Sequence, residues 1–132
     1  MSTLLLEIVT PERKVYAKDV EMVNVKGIDG ELGILPQHIP IVSPLKIAPV
    51  RVKLIGGGED HIAVHGGFLE VRGEKVVILA EGAELPEEID AERAERARLR
   101  AEQRLAQKEN IDFHRAEIAL QRAITRLDVK RH

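Results

Sequence analysis

Short runs of apolar and β-branched residues recur along the first two thirds of the chain, separated by turn-forming residues. The runs are Leu4 to Val9, Val20 to Val25, Ile39 to Val42, Ile47 to Ile55, His61 to Val64, Phe68 to Val71 and Val76 to Ala80. Runs of this length and spacing predict β-strands, and their number favours a sandwich or a flattened barrel. Turns are predicted at Gly56 to Gly58 and at Thr10 to Glu12.

The last third of the chain has a helical period instead. Phe113, Ala116, Leu120, Ala123 and Leu127 fall three and four positions apart, and Ala94, Ala97, Ala101 and Leu105 form a similar stripe before them. This spacing predicts two amphipathic helices. Residues 107–110 are expected to connect them, with Asn110 or Asp112 as the cap of the second helix. Two helices joined by so short a segment favour an antiparallel hairpin.

The distribution of glycine and proline divides the chain into two parts. All ten glycines lie between Gly27 and Gly82, and all six prolines lie between Pro11 and Pro86. We therefore predict a β domain over residues 1–84 and a helical domain over residues 85–132. Alanine favours helix but buries little apolar area, so the two helices are expected to pack weakly on each other. Such a hairpin can open at low cost, although a permanently packed appendage fits the same pattern.

Composition excludes several classes of function. The chain has no cysteine, which removes disulfides, thiol nucleophiles and cysteine-ligated metals. A formal net charge of −2 and only three aromatic residues give no basis for nucleic-acid binding. The longest apolar runs are far shorter than the roughly 20 residues that span a bilayer, so we expect a soluble cytoplasmic protein without direct membrane insertion.

Isolated candidate groups give no convincing catalytic or metal site. His61 and His65 are four apart, but on a strand that spacing separates them by roughly 13 Å, so both are interpreted as solvent-facing. His38, His114 and His132 are expected to be ordinary surface or loop residues. The glycines from Gly27 to Gly33 match neither a dinucleotide fingerprint nor a P-loop and are predicted to form β-turns. The adjacent carboxylates at 59–60 and 87–88 cannot face each other across a substrate, and no nucleophile is paired with a base, so no enzyme is expected.

One group of charged residues favours a binding function. Asp90 and Arg93 begin the first predicted helix, whereas Arg122 and Arg126 lie late on the second. In an antiparallel hairpin these two ends meet, and guanidinium groups beside a helix N-terminus are suited to binding an anion. The alternative is purely structural, with Asp90 as a helix cap and the arginines in interhelical salt bridges.

Three motifs resemble the ε subunit of bacterial F-type ATP synthases, especially forms from Bacillus-like organisms. Residues 30–40 read GELGILPQHIP and are similar to the family's GELGILPGHIP, with Gln37 where glycine is usual. Residues 66–71 read GGFLEV, as in a strand of that family. Residues 89–94 read IDAERA and match its I/L-D-x-x-R-A motif, which is associated with ATP binding.

The resemblance implies a ten-stranded N-terminal β-sandwich followed by the helical hairpin. It implies a non-catalytic central-stalk subunit that turns with the γ subunit, contacts the c-ring and restrains ATP hydrolysis when its helices extend toward the catalytic α and β subunits. It places the chain peripherally, at the cytoplasmic face of the cell membrane. ATP, with or without Mg²⁺, would be a regulatory ligand, and the matching positions are Glu84, Ile89, Asp90, Arg93, Arg122 and Arg126. A free-standing ATP-sensing module remains the alternative.

Overall fold

The computed structural model describes residues 2–107 and 112–132, which form a β domain followed by two helices. The strands are β1 (Leu4–Val9), β2 (Lys14–Gly27), β3 (Gly30–Ile34), β4 (Ile41–Leu54), β5 (Glu59–Arg72), β6 (Lys75–Ala80) and β7 (Ala83–Glu84). A 3₁₀ turn over Pro86–Glu88 leads to α1 (Ala91–Ala106) and α2 (Phe113–Arg131). This order confirms the predicted fold class.

The strands form a flattened barrel. Their order is β1, β6, β5, β4, β2 and β3, and a β1–β2 pairing closes the ring. All pairings are antiparallel except that of β1 with β6, and β7 adds to β5. The described part of the chain has seven strands rather than the ten expected. Three of them, β2, β4 and β5, are 14 residues long and change partners along their length, so the expected number is reached only if their halves are counted separately.

The main hydrophobic core lies inside this barrel. Its buried members run from Leu4 to Ala83 and come from every strand, since alternate residues point inward. The largest fully buried side chains include Leu4, Leu6, Ile8, Ile62, Leu69 and Ile78. No helix residue belongs to this cluster in the part of the chain that is described, so the barrel carries its own core.

The predicted turns are confirmed at two places and revised at a third. The N–H of Thr10 donates to the carbonyl of Arg13, and that of Leu54 donates to the carbonyl of Gly58. Between Gly27 and Gly33, however, only Ile28 and Asp29 form a turn, because the following residues continue as β3. A short strand with two glycines has little of the apolar alternation by which strands are recognised.

Each helix begins at an aspartate cap. The Oδ1 atom of Asp90 accepts a hydrogen bond from the N–H of Arg93 at 3.1 Å, and Asp112 accepts one from Arg115 at 3.0 Å. These bonds satisfy N–H groups that have no partner inside the helix. The expected cap at Asp112 is therefore confirmed, whereas Asn110 and most of the expected connection lie outside the described residues.

Alanines form the contact between the helices. Ala94 and Ala101 of α1 and Ala116 and Ala123 of α2 are buried, as the spacing predicts. Phe113 was expected in the same stripe, but its side chain is 45% exposed because α2 begins there, at one end of the contact. Neither helix is long and apolar enough to cross a membrane, among the residues described.

The end of α2 also packs on the β domain. Val129 is fully buried against Ala63 of β5 and Ile89, the residue before the α1 cap. The Nζ atom of Lys130 donates to the carbonyl oxygen of Pro86 at 3.0 Å. These contacts bring the end of α2 to the beginning of α1, so the hairpin is antiparallel and folded back on the barrel.

Candidate functional site

A cleft of about 340 Å³ lies where the two helices meet the edge of the barrel. Its charged lining comes from three parts of the fold. Glu84 lies on β7 and Arg126 on α2. The other members lie just before α1 or on it, namely Glu88, Asp90, Arg93 and Arg100. Ala94 and Ala97 provide a small apolar floor. The folded-back arrangement forms this cleft, because its walls belong to both helices and to the barrel.

Asp90 and Arg93 enter the cleft because the α1 cap places them there. The backbone N–H of Arg93 is used in the capping bond to Asp90, which leaves the guanidinium group available. Arg100 follows seven residues later and therefore lies on the same face of α1. In the described part of the chain, neither arginine forms an ion pair, so the cleft presents two uncompensated cations.

Glu84 connects the barrel to α2. Its Oε1 atom accepts a hydrogen bond from Nε of Arg126 at 2.6 Å and lies 2.8 Å from Nε2 of His65. Burial on its own would raise the pKa of Glu84, but the bonds from Arg126 and His65 outweigh it and hold the pKa below its usual range. Glu84 is therefore an anion at neutral pH.

The other two carboxylates of the cleft already have structural partners. Glu88 pairs with Arg13 at 2.7 Å and also accepts the N–H of Leu85 at 2.9 Å, and both bonds lower its pKa. Asp90 is engaged as the helix cap. The formal charges of the cleft thus cancel, yet the unpaired groups are cationic, which suits an anionic ligand that also carries hydrogen-bond donors.

Two of the six residues expected from sequence do not line this cleft. Ile89 is 4% exposed and contributes its side chain to the small apolar cluster with Val129. Arg122 is exposed and lies near His65, where its charge helps to lower the pKa of that imidazole. The structure therefore brings together Glu84, Asp90, Arg93 and Arg126, with Ile89 and Arg122 beside them.

Sequence reasoning missed Arg100 and His65. The heptad spacing from Arg93 to Arg100 was a usable signal for a shared helix face. His65 was interpreted as solvent-facing, but it is only 5% exposed, because α2 and β7 cover that face of β5. The strand alternation placed His65 opposite the barrel core and carried no information about a helix packed on the outside.

The interpretation of His61 as solvent-facing also needs correction, because its side chain is only 13% exposed, whereas His132 is exposed as expected. Their rings stack at 4.8 Å between centroids, and His132 lies 3.3 Å from Asp128. They border a second cleft of about 550 Å³ between the end of α2 and the barrel. No group of three or more potential metal-binding side chains occurs among the residues described.

Comparison with known proteins assigns the family. The family model for the ATP synthase delta/epsilon chain β-sandwich domain matches residues 3–86, and the model for its long α-helix domain matches residues 87–131. This chain belongs to the ATP synthase delta/epsilon family. Together the two matches account for both structural parts in the observed order.

Full-length relatives make it an epsilon-type chain. It is 59% identical to the ATP synthase epsilon chain of Halalkalibacterium halodurans, over 98% of each chain. It is 58% identical to that of Bacillus cytotoxicus, over 98% of this chain and 97% of the other. A chain in the cryo-EM structure of the Euglena gracilis mitochondrial ATP synthase, OSCP/F1/c-ring, superposes with a TM-score of 0.83 at 25% identity, covering 100% of this chain and 83% of that one.

Proposed function

We propose that this epsilon-type chain is a rotor subunit of an F-type ATP synthase whose hairpin is a regulatory element controlled by ATP. The β domain attaches the chain to the γ subunit and the c-ring, at the cytoplasmic face of the membrane. The helices restrain ATP hydrolysis when they extend toward the catalytic α and β subunits. The chain itself contributes binding and positioning rather than a chemical step.

The cleft between α1, α2 and β7 is the observation that carries the ATP proposal. Arg93 and Arg100 have no ion-pair partner among the described residues, and Arg126 bonds to Glu84 through Nε alone. The terminal guanidinium nitrogens can therefore donate to phosphate oxygens without breaking an existing ion pair. Glu84 and Asp90 offer acceptors to donors elsewhere on the nucleotide. Arg122, which is exposed on α2 and acts on His65, adds positive charge beside the cleft.

ATP binding would stabilise the folded-back hairpin. The arginines that face the ligand come from both helices, so an extended hairpin separates them. A ligand that binds one state only stabilises it by RT ln(1 + [L]/Kd), which is about 2.7 kcal/mol at a hundredfold excess over Kd. The four buried alanines of the helix contact remove little apolar area, so a stabilisation of this size is expected to shift the balance between the two positions.

Titration of the isolated chain tests the ligand. Calorimetry with ATP and ADP, with and without Mg²⁺, should give saturable binding of ATP. The paired substitution Asp90→Ala/Arg93→Ala should abolish it, whereas Arg96→Ala, on α1 outside the cleft, should not. A fluorophore pair on the barrel and near residue 130 should report closure when ATP is added. Equal affinity in wild type and double variant would leave Asp90 and Arg93 as a cap and a surface arginine.

Exposed apolar residues support the proposed rotor contacts. Phe68 and Leu79 are neighbours across β5 and β6, and both are more than half exposed. Leu35, Ile39 and Val42 form a second exposed group along the segment between β3 and β4 and the start of β4. Exposed apolar groups of this kind mark interaction surfaces in soluble proteins. We assign these surfaces to the γ subunit and the c-ring.

Copurification separates the rotor from a free-standing ATP sensor. A tagged chain expressed in its own cells should retain the γ subunit and the c-ring, and Phe68→Ser/Leu79→Ser should weaken that retention while ATP binding persists. A chain that binds ATP but retains neither partner would favour the sensor alternative. In assembled enzyme, Arg115→Ala/Arg122→Ala, which leaves the Glu84–Arg126 pair intact, should relieve inhibition of hydrolysis and weaken the salt dependence of that inhibition. Unchanged inhibition would mean that these two arginines only solvate the helix.

A further inference from the structure

His65 does not line the cleft itself but contacts Glu84, which does. Its backbone N–H donates to the carbonyl of Gly82 at 2.8 Å, and its ring lies against the same glycine, where a Cβ atom would come within 3.5 Å of Cδ2. Its Nε2 atom is 2.8 Å from Oε1 of Glu84. The imidazole is 5% exposed, so these contacts determine its orientation.

The surroundings select one tautomer of the ring. Glu84 is an anion and can only accept, so the proton of the shared hydrogen bond must belong to Nε2 of His65. Nδ1 is buried and has no hydrogen-bond partner among the described residues. An N–H at Nδ1 would therefore be buried without an acceptor, which is costly. The neutral ring with its proton on Nε2 fits both conditions.

We infer that His65 is a positioning residue of the cleft, which uses its Nε2–H to fix the carboxylate of Glu84 for the ligand and for Arg126. This inference rests on the proposed function of the cleft as an ATP site. Because Oε1 receives both protein donors, rotation of the carboxylate is restricted. The second oxygen, Oε2, has no hydrogen bond to a described residue and remains available to a donor of the ligand.

Protonation of His65 would weaken this arrangement. The charged groups that face the ring are Glu84 on β7 and Arg126 and Arg122 on α2, with Glu81 nearby on the segment between β6 and β7. Burial lowers the pKa of His65; the bond to Glu84 opposes the shift, and the two arginines add to it. The folded-back hairpin therefore binds fewer protons here than an open one. Neutral His65 therefore contributes fully to the stability of the folded-back hairpin above the ordinary imidazole pKa of about 6.5. This contribution declines as the pH falls from there through the lowered pKa of His65.

Two substitutions of His65 separate a positioning role from simple space filling. In His65→Gln the side-chain amide provides a donor close to the place of Nε2, whereas His65→Leu fills the space without one. His114→Gln, on the exposed side of α2, is the matched control. At pH 8 we expect the leucine variant to bind ATP about tenfold more weakly, and the glutamine variant to stay within about threefold of wild type.

The pH profile is the readout that a merely structural role would not change. Between pH 8 and 5.5, ATP affinity of wild type and of His114→Gln should fall more steeply than that of His65→Gln. Protonation of the nucleotide phosphates affects all variants alike, so the difference between these curves reports His65. Identical profiles for wild type and His65→Gln, or unchanged affinity in His65→Leu, would overturn the inference.

Two further measurements work without ATP binding. Long-range ¹H–¹⁵N spectra of the wild-type ring should show a neutral Nε2–H tautomer at pH 7.5, and an Nδ1–H tautomer would overturn the inference. The fluorophore pair should show that acid opens the hairpin of wild type more than that of His65→Gln, and equal opening would count against it. A wild-type chain that binds no ATP would refute the proposed ligand, while these two measurements would still decide the role of His65.

Discussion

The Oε1 atom of Glu84 lies 2.6 Å from Nε of Arg126, a residue 42 positions later in the chain. This contact joins β7 of the barrel to α2, and it lies in the wall of the cleft between the helices. Both side chains are about one third exposed or less, so water weakens the bond only in part. The pair therefore links the folded-back position of α2 to the wall of the cleft.

The first prediction concerns the strength of this pair. In a double-mutant cycle of Glu84→Gln and Arg126→Gln, we expect a coupling of about 1 kcal/mol in favour of the folded-back hairpin. The equilibrium can be followed by the fluorophore pair in the absence of nucleotide. Arg98 and Glu95 pair within α1, so the same cycle on them should leave hairpin position unchanged. No coupling between Glu84 and Arg126 would mean that the other contacts of α2, such as the packing of Val129 and the Lys130–Pro86 hydrogen bond, hold it in place.

The second prediction is an acid-sensitive contribution from Glu7. Hydrogen bonds from Lys14 and Lys75 lower the pKa of Glu7 to about 2. The folded state therefore binds fewer protons than the unfolded one between that value and the usual carboxyl range. Glu7→Gln should destabilise the fold above pH 4.5, and its difference from wild type should shrink as the pH falls toward 2.

Denaturation in urea at a series of pH values measures this effect. Glu74→Gln, an exposed substitution near the same edge of the barrel, is the control and should track wild type throughout. A pH-independent difference between Glu7→Gln and wild type would contradict an electrostatic origin.

The sequence specified most strands and both helices because period-two and heptad patterns are local. It did not specify that β4 and β5 continue through their centres. Pro44 and Pro49 both lie inside β4, and Pro44 falls where the apolar runs were interrupted between Val42 and Ile47. A proline is compatible with a strand where its missing N–H is not needed for pairing. Sequence alone does not show whether the nitrogen of a proline faces a paired strand.

The cleft was predictable only in part. Caps and helix direction place Asp90, Arg93 and Arg126 together, and those follow from spacing. The contributions of His65 and of the Oε1 atom of Glu84 depend on which outer face of the barrel α2 covers. That choice depends on small contacts such as Val129 with Ala63, which leave no periodic signal in the sequence.

The third prediction follows from the backbone at Gln37. Its φ angle is 65°, the only positive value outside glycine among the described residues, and the turn carries Pro36 one position earlier. A residue with a side chain pays about 1–2 kcal/mol to adopt the left-handed region, and glycine avoids this cost. The gain is only partial, because glycine also makes the unfolded chain more flexible and so favours unfolding. Gln37→Gly should therefore stabilise the protein by about 0.5–1 kcal/mol.

Thermal and urea unfolding measure this gain. Gln103→Gly, an exposed position in α1, makes the same chemical change where the helix needs no glycine, and it should destabilise α1 by a similar amount. A loss of stability in Gln37→Gly would show that its side chain makes a contact worth more than the strain.

The fourth prediction concerns Gly67, in the GGFLEV segment. Its φ angle is +135°, and a Cβ atom there would lie 2.1 Å from the carbonyl oxygen of Leu79 on β6. Gly67→Ala should therefore cost about 3 kcal/mol or more, because the β5–β6 pairing must move apart. Gly73→Ala also has a positive φ but no neighbouring atom within 4 Å, and it should cost about 1 kcal/mol. Similar losses in urea unfolding for both variants would assign the effect to backbone strain alone.

The last prediction is that residues 1–84 fold and attach to the rotor without the helices. Among the described residues, the main core has no buried member after Ala83, although Leu85 packs against it, whereas the contact of the helices with the barrel centres on a small cluster that includes Ala63 and Val129. A chain ending after Glu84 should thus unfold cooperatively in urea with a loss of about 1–2 kcal/mol, since the barrel keeps its buried core and loses the contacts of Leu85 and of the small cluster around Val129. In assembled enzyme it should support coupled ATP synthesis while hydrolysis rises.

A full-length chain with Asp90→Ala/Arg93→Ala separates loss of the ligand from loss of the helices, because it should keep the inhibitory helices but no longer respond to ATP. Failure of the shortened chain to bind the γ subunit, despite cooperative folding, would assign part of the rotor contact to the hairpin.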